Sequence, residues 1–277
     1  MPELPEVETT KRGIETQISH QPIKQLIVRH RQLRWPVEQQ LIDQLPGLVI
    51  NRVQRRAKYL LLETDAGTLI IHLGMSGHLR ILPTSIEPKK HDHIDLVFEN
   101  GTLLRYHDPR RFGAWLWTEQ PIEQHPLLTK LAPEPLSDAF NANYLFDKIR
   151  LKTTAIKALI MNNQYVVGVG NIYANESLFL SGLHPLRPGK SLSLHECETL
   201  VQNIRKVLSE AIEQGGTTLK DFLTPTGKPG YFEQKLFVYG RDNQPCLHCG
   251  TLITRQVDFQ RASYVCSSCQ PLEKPSE

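Results

Sequence analysis

The chain has 277 residues, 40% of them hydrophobic and 22% charged, with 32 Lys and Arg against 29 Asp and Glu for a net charge of +3. This is the balance of an ordinary soluble globular protein, expected in the cytoplasm, and no apolar run approaches the roughly 18 residues that would cross a membrane. The length suggests about two domains with real cores, and the mild basicity permits a polyanionic partner without requiring one.

In chain order, Val7, Ile14 and Ile18 recur at helical spacing behind Pro5 and early glutamates, which predicts a short amphipathic helix almost at the chain start. From Ile23 to Trp117 the pattern shifts to short β runs: 23–31, 48–63, 68–73, 78–82, 94–98, 102–106 and 113–118. Asn100-Gly101, flanked by the Ile94/Leu96/Phe98 alternation, marks a hairpin, and the set reads as a β-sandwich or barrel. Pro133 and Pro135 mark a change of domain. Helices are then predicted over 141–148, 155–161 and 172–180, the last closed by Gly182. A longer helix starts at a Ser193/Glu196 capping box, carries Leu200, Val201, Ile204, Leu208 and Ile212 on its apolar face, and ends at Gly215-Gly216. The polar stretch 217–231 that follows has the length of a functional lid.

The sharpest local signal is C-terminal. Cys246-x-x-Cys249 and Cys266-x-x-Cys269, sixteen residues apart, have the spacing of a zinc ribbon whose four thiolates close a tetrahedron. Two disulfides are the rival, and the long chain, the lack of an apolar leader and the lone Cys197 argue against them. A closed four-ligand site leaves no position for a reacting water, so this zinc is expected to be structural.

Chemistry must therefore lie elsewhere. Removal of Met1 would expose the secondary amine of Pro2. An α-amine titrates near 8, so part of it is neutral and nucleophilic at pH 7. It would condense with an aldehyde to an iminium that cannot lose a nitrogen proton. Glu3 and Glu6 stand close enough in sequence to serve the same centre. Equally, Pro and acids at a helix start are routine. Val167-Gly168-Val169-Gly170 lacks the third glycine and the preceding strand of a dinucleotide loop. Residues 71–77 look like a strand ending in a glycine turn that presents His72 or Met75. Two cationic groups, Arg52/Arg55/Arg56/Lys58 and Arg110/Arg111, read equally as solvated faces or as phosphate contacts.

Taken jointly, these stretches resemble one family, the bacterial formamidopyrimidine-DNA glycosylases. The resemblance rests on PELPEVE at 2–8, RRAKYLLLE at 55–63, HLGMSGHLR at 72–80, YHDPRRFGAWLW at 106–117, VVGVGNIYANESLF at 166–179, EQGGTTLKDF at 213–222, GKPGYF at 227–232 and QRASYVCSSCQ at 260–270. It covers essentially the whole chain. It implies an α+β protein: an N-terminal catalytic β-sandwich with a terminal helix over 1–132, a helix–two-turn–helix DNA-binding domain with its lid loop over 133–235, a four-cysteine zinc-ribbon finger over 236–270 and a tail over 271–277.

The implied activity is base-excision repair. The enzyme would act as a monomer on damaged double-stranded DNA, with no membrane partner and one structural Zn²⁺ on Cys246, Cys249, Cys266 and Cys269. It would flip out and remove oxidised purines, then cut the strand by β,δ-elimination. The resemblance makes Pro2 the nucleophile that forms the Schiff base and Glu3 the acid. Lys58 would be the proton donor for β-elimination and Arg261 the donor for δ-elimination. Met75, Arg110 and Phe112 map onto the wedge that fills the vacated stack, His91, Arg110 and Lys152 onto phosphate contacts, and Lys157 and Asn171 onto helpers at the helix–two-turn–helix. Val265 stands where the family usually has an aromatic residue or Ile. The related endonuclease VIII enzymes prefer oxidised pyrimidines, and PELPE with the QR-x-x-x-x-C finger favours the purine side. A non-catalytic damage-binding protein is the rival from another class.

Overall fold

The structure is a computed structural model that describes residues 2–215, 236–258 and 260–272; the predicted lid loop at 217–231 lies outside them. The described residues fall into two compact units, the first of residues 2–130 with 214–215 and the second of the remainder. Among the described residues no helix is long and apolar enough to cross a membrane.

The first unit opens with α1 (Leu4–Ile18), whose Val7, Ile14 and Ile18 are buried in the core as their spacing predicted. Eight strands follow: β1 (Ile23–Val28), β2 (Arg52–Arg56), β3 (Tyr59–Glu63), β4 (Thr68–His72), β5 (His78–Pro83), β6 (Asp92–Phe98), β7 (Thr102–His107) and β8 (Ala114–Thr118). They form two four-stranded antiparallel sheets in the orders β1-β6-β7-β5 and β2-β3-β4-β8. Leu60, Leu62, Leu69 and Ile71 from one sheet and Leu79, Ile94, Leu96 and Leu104 from the other share a single apolar core, which makes the unit a sandwich. The Asn100-Gly101 hairpin joins β6 to β7, with Gly101 at φ +81° and Asn100 Oδ1 accepting the Thr102 N–H at 3.0 Å.

Two features differ from the sequence pattern. The single run expected over 48–63 is a tight hairpin, β2 to β3, turning at Ala57-Lys58 with Ala57 at φ 53°. A short helix, α2 (Gln39–Gln44), interrupts the β pattern and buries only Leu41.

The second unit holds α3 (Ala142–Ile149), α4 (Ile156–Ile160), α5 (Asn171–Leu180) and α6 (Leu194–Glu213), then the hairpin of β9 (Thr254–Asp258) and β10 (Arg261–Val265). α6 starts at the predicted capping box: Glu196 Oε2 accepts the Ser193 N–H at 2.8 Å, and Ser193 Oγ accepts the Glu196 N–H at 3.2 Å. The finger and the helices share a core, in which Phe179 of α5 packs with Val238, Cys246, Ile253 and Cys266.

Candidate active site and metal centre

Pro2 and Glu3 are both buried at the start of α1. Glu3 is the residue capping that helix, and its backbone N–H is held by Glu6 Oε2 at 2.8 Å. The terminus is therefore aimed by the helix rather than left to fray, because α1 is anchored through its apolar face in the sandwich core. Thr10 Oγ1 donates to the Glu6 carbonyl at 2.8 Å and closes the same turn.

Lys58 stands at the half-buried turn between β2 and β3. Arg55 links that turn to α1: its Nε donates to Glu8 Oε2 at 2.8 Å and its Nη1 to the Ala57 carbonyl at 2.9 Å. Burial raises the Glu8 carboxyl, but Arg55 and Arg12 outweigh it and hold Glu8 below the usual carboxylate range. The ionised pair thus couples α1, which begins beside Pro2, to the strand turn bearing Lys58.

Met75 and the Arg110-Arg111-Phe112 stretch lie on two adjacent loops of the same unit. Gly74 makes the approach possible, since a Cβ there would come within 2.4 Å of the Phe112 carbonyl carbon. Met75 is 39% exposed and Phe112 47%, unusual for side chains of their size and apolarity. The Arg110 guanidinium lies 4.9 Å from the Phe112 ring centroid. Together with Arg34, His72 and Gly74, Met75 and Phe112 line a cleft of about 290 Å³. His72 is neutral there: burial first, then the charges of Arg34 and Lys58, push it down to about 4, and its Nδ1 accepts the Gly74 N–H at 3.0 Å.

Among the described residues, six non-glycine residues have positive φ, and four adjoin or are predicted site residues: Ala57 beside Lys58, His91 itself, Arg111 between Arg110 and Phe112, and Gln260 beside Arg261. Such backbone costs about 1 kcal/mol or more per residue and persists only where its surroundings hold it. His91 precedes β6 and is half-buried.

In the second unit Arg261 is the exposed first residue of β10, and with Lys157, Met161, Asn162 and Asp258 it lines a cleft of about 210 Å³. Lys157 and Asn171, the helpers expected at the helix–two-turn–helix, both reach the finger. Lys157 Nζ donates to the Ala262 carbonyl at 2.7 Å and to Ser263 Oγ at 2.8 Å, and Asn171 Nδ2 donates to the same carbonyl at 3.0 Å. Lys152 is exposed beyond α3. Two residues that the sequence did not single out complete the arrangement. Asn175 Oδ1 accepts the Tyr264 N–H at 2.8 Å, and the buried Glu176 carboxylate accepts the N–H groups of Phe237, Val238 and Tyr239 at 2.7, 3.0 and 2.8 Å.

The four cysteines predicted as ligands converge, with all their sulfurs within 4.8 Å of one another. The Sγ–Sγ separations of 3.9 Å (Cys246–Cys269), 3.4 Å (Cys249–Cys266) and 3.5 Å (Cys249–Cys269) bracket the ~3.8 Å edge of a tetrahedron with Zn–S near 2.3 Å. They are far beyond the ~2.05 Å of a disulfide. The donor set fits one structural zinc and leaves it no open position.

Comparison with known proteins agrees with this geometry. The family model for the formamidopyrimidine-DNA glycosylase N-terminal domain matches residues 1–115, and that for the H2TH domain of the same enzymes matches residues 131–223. The chain is 66% identical over 270 residues to the formamidopyrimidine-DNA glycosylase of Hydrogenovibrio crunogenus, covering 98% of this chain and 96% of that one. It is 59% identical to the enzyme of Escherichia coli K12, with 98% and 100% covered. Among solved structures, the MutM (Fpg) protein of Thermus thermophilus superposes with a TM-score of 0.87 at 38% identity, covering 99% of this chain and all of that one. Lactococcus lactis Fpg in complex with DNA containing N7-benzyl-Fapy-dG reaches 0.90 at 34% identity, with 98% and 100% covered.

Proposed function

The chain belongs to the formamidopyrimidine-DNA glycosylase family, and from that premise we propose that it excises oxidised purines, 8-oxoguanine and formamidopyrimidines, from duplex DNA through the amine of Pro2. The observation that carries this reading is the buried placement of Pro2 and Glu3 at the start of α1. The positive end of a helix disfavours a second positive charge beside it, which favours the neutral, nucleophilic amine. Glu3 adjoins that amine with its backbone pinned by Glu6, so its carboxyl is directed by the helix cap.

To reach the sugar carbon the enzyme must take the damaged nucleotide out of the stack, at a cost of a few kcal/mol. Met75 and Phe112, exposed and apolar, enter the vacated space, and Arg110 accompanies them as the cation of that wedge. His91, Arg110 and Lys152 hold phosphates. Attack of the Pro2 nitrogen on the anomeric carbon expels the base, with Glu3 supplying a proton, and leaves a ring-opened iminium. The positive nitrogen acidifies the neighbouring carbon, so loss of the 3′ phosphate follows from the same adduct. Lys58 serves β-elimination and Arg261 the second, δ-elimination. A zinc held by Cys246, Cys249, Cys266 and Cys269 would fold the hairpin that carries Arg261 and would have no open position for bond making.

Borohydride trapping on duplexes containing 8-oxoguanine or an abasic site tests this. The expected result is a covalent adduct that peptide mass spectrometry locates on Pro2. Tight binding with no adduct, or an adduct on a lysine, would overturn it.

A further inference from the structure

We propose that Asp108 is the positioning residue of the base-extruding wedge: its buried carboxyl group sets the relative placement of Met75, Arg110 and Phe112, and its backbone holds His91. The inference rests on the wedge reading above. Asp108 has no exposed surface. A carboxyl group is tolerated in such a place only if its oxygens are engaged, and the donors it engages come from both loops of the wedge. Asp108 Oδ1 accepts the Ser76 hydroxyl at 2.7 Å, next to Met75. Oδ2 accepts the Gly113 N–H at 2.9 Å, next to Phe112, and the Tyr106 hydroxyl at 2.9 Å. Ser76 Oγ in turn accepts the Arg110 N–H at 3.3 Å.

The backbone of the same residue completes the set. Its N–H donates to the His91 carbonyl at 3.0 Å, and its carbonyl accepts the Arg111 N–H at 3.2 Å and His93 Nε2 at 2.9 Å. Met75, Arg110, Phe112 and His91 are therefore each tied to Asp108, His91 by a direct backbone bond and the other three through Ser76 or Gly113. The packing around this point has no slack. A Cβ on Gly113 would fall 1.7 Å from the Tyr106 hydroxyl, and one on Gly77 2.6 Å from it. The left-handed conformations of His91 (φ 74°) and Arg111 (φ 58°) are held by these same bonds. Asp108 touches no reacting atom. Its effect is to keep Met75 and Phe112 at a fixed separation, so that insertion into DNA does not first have to order two loops.

The test compares Ser76→Ala, Asp108→Asn and Phe112→Ala. Base excision from an 8-oxoguanine duplex, which requires extrusion, is measured in single turnover beside strand scission at a preformed abasic site, which has no base to extrude. 2-Aminopurine fluorescence next to the lesion reports unstacking directly. Losing an acceptor from this network should slow excision and unstacking by roughly 5- to 100-fold in Ser76→Ala and Asp108→Asn, with abasic-site scission changed by about two-fold or less. If Asp108→Asn fails to fold, Ser76→Ala carries the test, since it removes one hydroxyl and leaves the carboxylate with two donors. Unchanged excision, or equal slowing on both substrates, overturns the assignment. If Phe112→Ala itself leaves excision unchanged, the wedge reading fails first and takes the role of Asp108 with it. A Phe112→Ala defect without a Ser76→Ala defect removes Asp108 alone.

Discussion

Replacing Lys157 by Met separates two roles that this lysine can have: contacting a phosphate, or fixing the hairpin that carries Arg261. Its side chain is 5% exposed, and its amine donates to the Ala262 carbonyl and the Ser263 hydroxyl. Hydrogen bonds from a charged donor contribute about 1.5–3 kcal/mol each. Asn171 still reaches the Ala262 carbonyl, whereas the fully buried Ser263 hydroxyl loses this donor. Met keeps the volume without leaving a charge unpaired, so a loss of about 2–4 kcal/mol is expected, a fall in melting temperature of roughly 5–15 °C. The functional assay is the product ratio on an abasic-site duplex. With Arg261 loosened, the β-elimination product should accumulate over the β,δ product, as it should in Arg261→Ala. A phosphate contact behaves differently: melting is unchanged, and the log–log salt slope of DNA affinity becomes shallower by about one. An unchanged melting temperature and product ratio with such a shallower slope would refute the positioning argument.

What was legible in the sequence was what depends on near neighbours. The cysteine spacing, the Ser193/Glu196 cap and the Asn100-Gly101 turn each need only three to about twenty residues of context, and each appears in the structure as read. The β2–β3 hairpin was missed because its turn uses Ala57 in a left-handed conformation where a glycine or asparagine would have signalled it. Arg55 braces this turn, locally through the Ala57 carbonyl and across 47 residues through Glu8. The positioning residues were hidden for the same reason. Asp108 meets Ser76 across 32 residues, Glu176 meets Phe237 across 61 and Asn175 meets Tyr264 across 89. In the sequence Asp108 looks like a turn former, and Asn175 and Glu176 like the polar face of a helix. The family resemblance nominates residues for the chemistry, whereas the residues that hold their surroundings become visible only once the backbone is closed.

Three further outcomes follow from the geometry. Stripping the metal with a chelator should unfold the β9–β10 hairpin and abolish DNA binding and strand scission together, and full activity in zinc-free protein would contradict the closed four-cysteine site. Gly113→Ala should destabilise the first unit by about 3 kcal/mol or more, since its Cβ meets the Tyr106 hydroxyl at 1.7 Å and the His72 carbonyl at 2.6 Å, whereas Gly47→Ala, with open space but φ +86°, should cost only about 1 kcal/mol; equal thermal shifts would refute the packing argument. The last outcome concerns acid. Burial is the largest cause pushing both His72 and His78 down to about 4, with Arg34 and Lys58 adding to it at the first and His107 and Arg80 at the second. An unfolded histidine takes up its proton near 6.5, while these two stay neutral in the fold until about 4, so between those values the unfolded chain binds more protons. Stability from this source is complete above pH 6.5 and is lost as the pH falls toward 4, by up to roughly 3 kcal/mol for each ring. The paired carboxylates Asp92 and Asp95, held below the usual range against burial by their hydrogen bonds and cationic partners, lose their share only at lower pH. Thermal melts should therefore drop between pH 6.5 and 5, before the carboxylates titrate, and a flat profile across that interval would show that these rings are not held neutral.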